Sequence, residues 1–246
     1  MLRFEYLSGS DGASMVRVLG GFALFWDGGA LRIPRASQRL LSFLALQPGM
    51  VKRATIAGTL WPDASESHAY SNLRSALARL RGTAHKALAA SKLELGLAEG
   101  VMVDVRYAHG LAQRLLDPAV TPDRSELGMA AVPVLSADLL PDWYDDWVLI
   151  EAEGWRQLRL DALEALAGRL LAIGRCGEAV GAAGAAVLAE PLRESARAAL
   201  IQAHLARGNQ SEAVREFTRY RALLARELGL APTPRLLGLL KDLQSP

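Results

Sequence analysis

Asn72, Arg74, Ser75, Arg79 and Arg81 lie close together in the segment NLRSALARLRG (72–82). Amide and guanidinium groups at that spacing suit hydrogen bonding to base edges and phosphates in a nucleic-acid groove. At about 100° per residue from Leu73, the residues Ala69, Ala76, Leu77 and Leu80 fall within about 60° of one meridian and form a stripe to bury. The opposite side is Ser71, Ser75 and Ala78, a slim ridge flanked by Asn72 and Arg79 on one edge and by Arg74 and Arg81 toward the other. A recognition helix requires that arrangement. A solvated basic helix without a partner has the same pattern, so the surroundings must discriminate.

Charge is distributed unevenly along the 246 residues. Residues 1–103 carry 12 Lys+Arg against 7 Asp+Glu (net +5), and residues 104–246 carry 16 against 19 (net −3). Between Glu66 and Glu94 no acidic residue occurs, while Arg74, Arg79, Arg81, Lys86 and Lys92 lie there with His68 and His85. A polyanion is drawn to such a window.

The elements around the segment fit a helix-turn-helix. Residues 15–33 alternate loosely and break at Asp27-Gly28-Gly29, which predicts a hairpin in a small N-terminal sheet. SQRLLSFLALQPG predicts a helix ending at Pro48-Gly49, and a second runs from about Arg53 to Leu60 before Trp61-Pro62. The loop PDASES then offers Ser65 or Ser67 as N-cap to the arginine-edged helix. Downstream, ALAASKLELGLAEGVMVDV has strand character with turn residues at Ala90-Ser91-Lys92 and near Glu99-Gly100. A hairpin there is the wing of a winged helix, with Lys92 near its tip as a phosphate or minor-groove contact, or else it only closes the core.

The second half repeats. Glu-Ala-Val recurs at 178–180 and 212–214, an offset of 34 residues that matches tetratricopeptide helix hairpins. Apolar periodicity, and Pro after Thr121 and Thr233, predict helices near 105–117, 122–135, 145–173, 177–189, 192–206, 210–228 and 234–243. The expected fold is mainly α: a winged helix-turn-helix domain with small β-sheets, followed by an all-α tetratricopeptide-like repeat domain. Boundaries are expected at 1–14 for a flexible tail, 15–105 for the winged helix and 106–246 for the helical domain.

LLPDWYDDWVLI (139–150) is the densest aromatic and acidic cluster. Trp143, Tyr144 and Trp147 are candidate partner contacts there, against the favoured reading that they pack inside the first helix hairpin, because a Trp at helical spacing is usually core. Enzymatic chemistry finds little support: His68, His85, His109 and His204 are scattered, and no H-E-x-x-H, Cys pair, G-x-S-x-G or G-x-x-x-x-G-K-[ST] occurs. No metal, no cofactor and no ATP-dependent control are expected. Cys176 is alone, and no stretch of 18 apolar residues or signal-like leader occurs, so a cytoplasmic protein without membrane attachment is expected.

On VRVLGGFAL, Leu60-Trp61, NLRSALARLR, DLLPDWYDDWV and the segment AEPLRESARAALIQAHLARGNQSEAVREFTRYRALLARELGLAPTPRL, the chain resembles the Streptomyces antibiotic regulatory protein family. In that family an OmpR-type winged helix precedes a bacterial transcriptional activator domain. The resemblance spans Met15 to Leu240. It implies binding to double-stranded promoter DNA at direct repeats, as a homodimer or tandem protomers, and recruitment of RNA polymerase holoenzyme, often for secondary-metabolite genes. Carried over residue by residue, it makes Asn72, Arg74, Ser75 and Arg79 base-contact candidates. Lys52, Arg53, Arg81 and Lys86 become phosphate candidates beside Lys92. The wing departs from the family in lacking a basic cluster. A tetratricopeptide-type protein-interaction scaffold whose winged helix does not bind DNA is the alternative.

Overall fold

A computed structural model describes residues 14–80, 82–123 and 126–240. The chain divides into two compact units, one of Met1–Tyr107 with Asp138–Trp155 and the other of Ala108–Ala137 with Arg156–Pro246.

The first unit opens with β1 (Ser14–Arg17), β2 (Ala23–Trp26) and β3 (Gly29–Leu31). The β2–β3 turn sits at Asp27-Gly28, both with positive φ, as the Asp-Gly signal predicts. Helices α1 (Arg35–Leu46), α2 (Arg53–Leu60) and α3 (Glu66–Ala78) follow, with a two-residue strand β4 (Val51–Lys52) before α2. A 3-10 segment (Gly82–Ala87) leads to β5 (Leu88–Ala90), β6 (Glu94–Leu97) and β7 (Met102–Val103). One sheet has the order β3-β2-β1-β7, with β7 parallel to β1; the other has the order β4-β6-β5. Leu40, Leu41, Leu44, Ile56, Leu60, Leu73 and Leu95 are fully buried and make the core that the three helices share with the second sheet.

Two polar groups lock this unit over long sequence distances. Asp104, the first residue of α4 (Asp104–Leu116), is buried, and its carboxylate accepts the backbone N–H groups of Val18 (2.9 Å), Leu19 (2.9 Å) and Val105 (2.8 Å). Arg106, two residues on, donates to the carbonyls of Ala45 (3.0 Å), Leu44 (3.2 Å) and Gln47 (2.5 Å), closing the C-terminus of α1.

The expected boundary at 105/106 needs a correction. Asp138–Trp155 belongs with the first unit, because Leu19 and Leu139 form a β-bridge and Gly20 and Leu140 donate backbone hydrogen bonds to Asp138 and Val18. The expected tail also loses Ser14, which is in β1; the rest of it lies outside the described residues.

The second unit is helical, with α5 (Ala131–Ser136), the part of α6 (Asp146–Ala172) from Arg156 onward, α7 (Cys176–Ala189), α8 (Glu194–Ala206), α9 (Gln210–Leu228) and α10 (Pro234–Gly238). The 34-residue repeat is structural. Gly174 and Gly208 both take left-handed φ (76° and 80°) after α6 and α8, and each closes its helix with the paired bonds of a Schellman motif: Arg175 to Leu170 and Gly174 to Leu171, then Asn209 to His204 and Gly208 to Leu205. Ala179 and Ala213, equivalent in the two repeats, are both fully buried, and α8 packs against α7 and α9.

The helix expected at 122–135 is reduced to Ala131–Ser136. Upstream, the Glu126 carboxylate accepts from Arg114 (2.8 Å) and from the backbone N–H of Asp123 (3.1 Å), while Arg169 gathers the carbonyls of Leu115, Asp117 and Val120. These bonds tether the segment between α4 and α5 to α4 and α6, and its course there is outside regular helix. Thr233 does cap α10 as expected, its hydroxyl accepting from Leu236 N–H.

Candidate nucleic-acid interface

Helix α3 begins at Glu66, the start that the Ser65 N-cap position implies, and ends at Ala78, sooner than the segment 72–82 suggests. Ser65 occupies the N-cap position in extended conformation, but its hydroxyl faces Ser67 Oγ at 3.3 Å instead of capping a backbone N–H. Arg79 is the C-cap residue, still in right-handed helical conformation. Of the expected inward stripe, Ala69, Leu73, Ala76 and Leu80 are buried, while Leu77 is only half-buried. A buried hydrogen bond from Ser37 Oγ of α1 to the Ala76 carbonyl (2.8 Å) ties the helix to the core at its C-terminal end. That bond has no sequence signal, since a serine on an apolar helix face reads as a packing defect.

The outward face holds Asn72, Arg74, Ser75, Ala78 and Arg79, all exposed. Among the described residues, neither Arg74 nor Arg79 has a side-chain hydrogen bond or ion pair to a protein acceptor. Two exposed guanidinium groups flanking one slim ridge, unpaired among the described residues, leave their donors available to an external acceptor. Arg81 lies outside the described residues.

The remaining phosphate candidates are distributed around α3. Lys52 is exposed and pairs across the second sheet with Glu94. Arg53 opens α2 and donates from Nη2 (3.0 Å) and Nε (3.3 Å) to the carbonyl of Ser91, in the β5–β6 turn, while its own N–H donates to Leu93 O (2.8 Å). Lys92 is exposed in that turn beside Leu93, which is 76% exposed. Lys86 is exposed in the 3-10 segment with its ammonium 5.4 Å from the Trp26 ring centroid, a cation–π contact that orients it. The hairpin thus carries one lysine and is fastened to α2 by Arg53.

The aromatic cluster separates into two roles. Trp143 is buried at 4% exposure under the Arg35 guanidinium (3.8 Å from the ring centroid), with Phe22 and Trp147 each 6.4 Å away. It is withdrawn as a partner contact because its ring is core. Trp147 stands edge-on to Phe43 at 5.5 Å and is half-buried. Tyr144 is 80% exposed and, with Trp147, Ile150 and the loop Trp61–Ala64, lines an open groove of about 730 Å³; Asp145 there is ion-paired to Arg39.

Residues 103–244 match the family model described as "Bacterial transcriptional activator domain". The chain belongs to that family. It is 31% identical over 238 residues to Regulatory protein AfsR of Streptomyces coelicolor, covering 92% of this chain and 24% of the relative. Regulatory protein AfsR of Streptomyces griseus is 30% identical over 229 residues, covering 86% of this chain and 22% of that protein. The chain therefore spans about a quarter of the length of these relatives. A solved structure, "Mycobacterium tuberculosis EmbR in complex with low affinity phosphopeptide", superposes with a TM-score of 0.70 at 22% identity, over 96% of this chain and 66% of that one. That likeness establishes the fold, a winged helix with a helical repeat domain. By family the chain is a transcription regulator of the Streptomyces antibiotic regulatory protein type, and the relatives it matches are named as regulatory proteins. No helix among the described residues is long and apolar enough to cross a membrane.

Proposed function

We propose that this chain is a sequence-specific DNA-binding transcription activator acting in the cytoplasm. Helix α3 enters the major groove, where Asn72, Arg74, Ser75 and Arg79 meet base edges. Lys52, Arg53, Arg81, Lys86 and Lys92 meet phosphates on either side. The helical unit and the exposed Tyr144 contact RNA polymerase holoenzyme, and protomers bind promoter repeats as a homodimer or in tandem. The observation that carries this reading is the exposed ridge of α3, whose two described arginines have no protein partner and whose inner stripe is sealed in the core.

Footprinting of the purified chain on the DNA flanking its own gene, combined with a salt titration of duplex binding, tests it. A protected site is expected, with log affinity falling by about 0.9 per phosphate contact for each unit of log salt. Absence of salt-dependent duplex binding would favour the scaffold reading, in which both units serve protein contacts alone.

A further inference from the structure

The second unit contains a groove that the DNA-binding reading leaves unused. It is open, about 620 Å³, and lies between α7 and α9 over α8. Val187 and Leu188 form one wall, Leu200 the floor, and Ala222 with Leu223 the other wall. Leu188, an apolar side chain, is 84% exposed at the lip. Along α9 the lining runs from Glu216 to Arg226, about 15 Å at the helical rise, which seats about three turns of another helix.

The polar part of this groove has a definite sign. Its lining carries Arg197, Arg219 and Arg226 against a single carboxylate, Glu216. Glu216 is already bonded twice, by Arg197 Nη1 (2.5 Å) and Arg219 Nη1 (2.5 Å), so it neutralises less than the two guanidinium groups holding it. Arg197 is 3% exposed in its side chain, and its Nε is a buried donor without an acceptor among the described residues. Arg226 is paired only with its neighbour Glu227 (2.8 Å), on side chains 71% and 46% exposed, where the pair is weakly held. This positive excess stands in a half of the chain whose net charge is −3.

We infer that the groove is a docking site for an acidic amphipathic helix of a partner protein. Leucine-like side chains would fill the space between Val187, Leu188 and Leu223. Flanking carboxylates would meet Arg219 and Arg226, which sit at the rim and exchange partners at low cost.

Fluorescence anisotropy of the full chain with two labelled synthetic helices tests this, one with a leucine face flanked by glutamates and the other identical except for lysines. Only the glutamate helix is expected to bind, more weakly as salt rises, and to lose about tenfold in affinity in Arg219→Glu/Arg226→Glu. Leu188→Asp is expected to weaken it separately. All three side chains are exposed, so an unchanged melting temperature in these variants separates lost docking from lost folding. Equal binding of the lysine helix, or no response to the substitutions, overturns the inference. So does a dimer in sedimentation velocity that the double substitution abolishes while neither helix binds, because the occupant would then be a second copy of this chain.

Discussion

The guanidinium of Arg53, at the first turn of α2, donates to the carbonyl of Ser91 at the tip of the β5–β6 hairpin, 38 residues further along the chain. Together with the Arg53 N–H bond to Leu93, it fixes where the hairpin tip stands beside α2 and α3. Arg53→Ala is expected to speed amide exchange at residues 91–94 and to weaken duplex binding several-fold. Its melting temperature should change little, since exposed polar contacts contribute within about 0.5 kcal/mol. Hydrogen exchange by mass spectrometry and duplex titration check both; unaltered exchange at the turn would show that the tip is held by the sheet alone.

Arg74 and Arg79 differ in position on α3, and their substitutions should differ in kind. Whichever makes a bidentate base contact is expected to lose about 1–3 kcal/mol of specific binding when changed to Ala, with relaxed preference at one base pair. One that meets phosphate should lower affinity for all duplexes and reduce the salt slope by about one. Measured against specific and random duplexes, unchanged binding in both variants would refute the placement of α3 in the groove.

Burial pushes the Asp104 carboxyl up to about 6 against the pull of the Val18, Leu19 and Val105 N–H groups. The folded chain therefore holds this proton more tightly than the unfolded chain, whose carboxyl ionises near the ordinary value of about 3.9. The favourable contribution of that proton is complete below about pH 4 and is lost as pH rises through about 6, so this group lowers stability across that window. Asp104→Asn should flatten that part of the pH–stability profile. It should also destabilise the chain by about 1–3 kcal/mol at neutral pH, because the new NH2 group faces backbone donors. Urea unfolding of both forms between pH 4 and 7 reads both effects.

Trp143 and Tyr144 are neighbours with opposite roles. Trp143→Ala removes a buried indole from beneath Arg35 and is expected to cost about 3–5 kcal/mol. Tyr144→Ala should leave stability within about 0.5 kcal/mol while weakening capture of RNA polymerase. Chemical denaturation and a polymerase pull-down distinguish them, and a strongly destabilised Tyr144→Ala would contradict its exposure.

Periodic signals are legible in residue order alone. The inward stripe Ala69-Leu73-Ala76-Leu80 and the 34-residue recurrence, with its glycines at 174 and 208, follow from local spacing: each sets a helix face or a left-handed cap through neighbours a few residues away. The exposed candidates on α3 could be named for the same reason, as the face left over once the stripe is buried.

What spacing could not supply were bonds between distant segments. Arg169 and the Arg114–Glu126 pair tether the segment after α4, which runs outside the helix that its proline and periodicity favoured. The Leu19–Leu139 bridge draws Asp138–Trp155 into the first unit, and Arg35 covers Trp143. A guanidinium or an edge strand can satisfy any suitably placed carbonyl, so its partner is chosen by the folded chain's geometry and leaves no periodic trace in residue order.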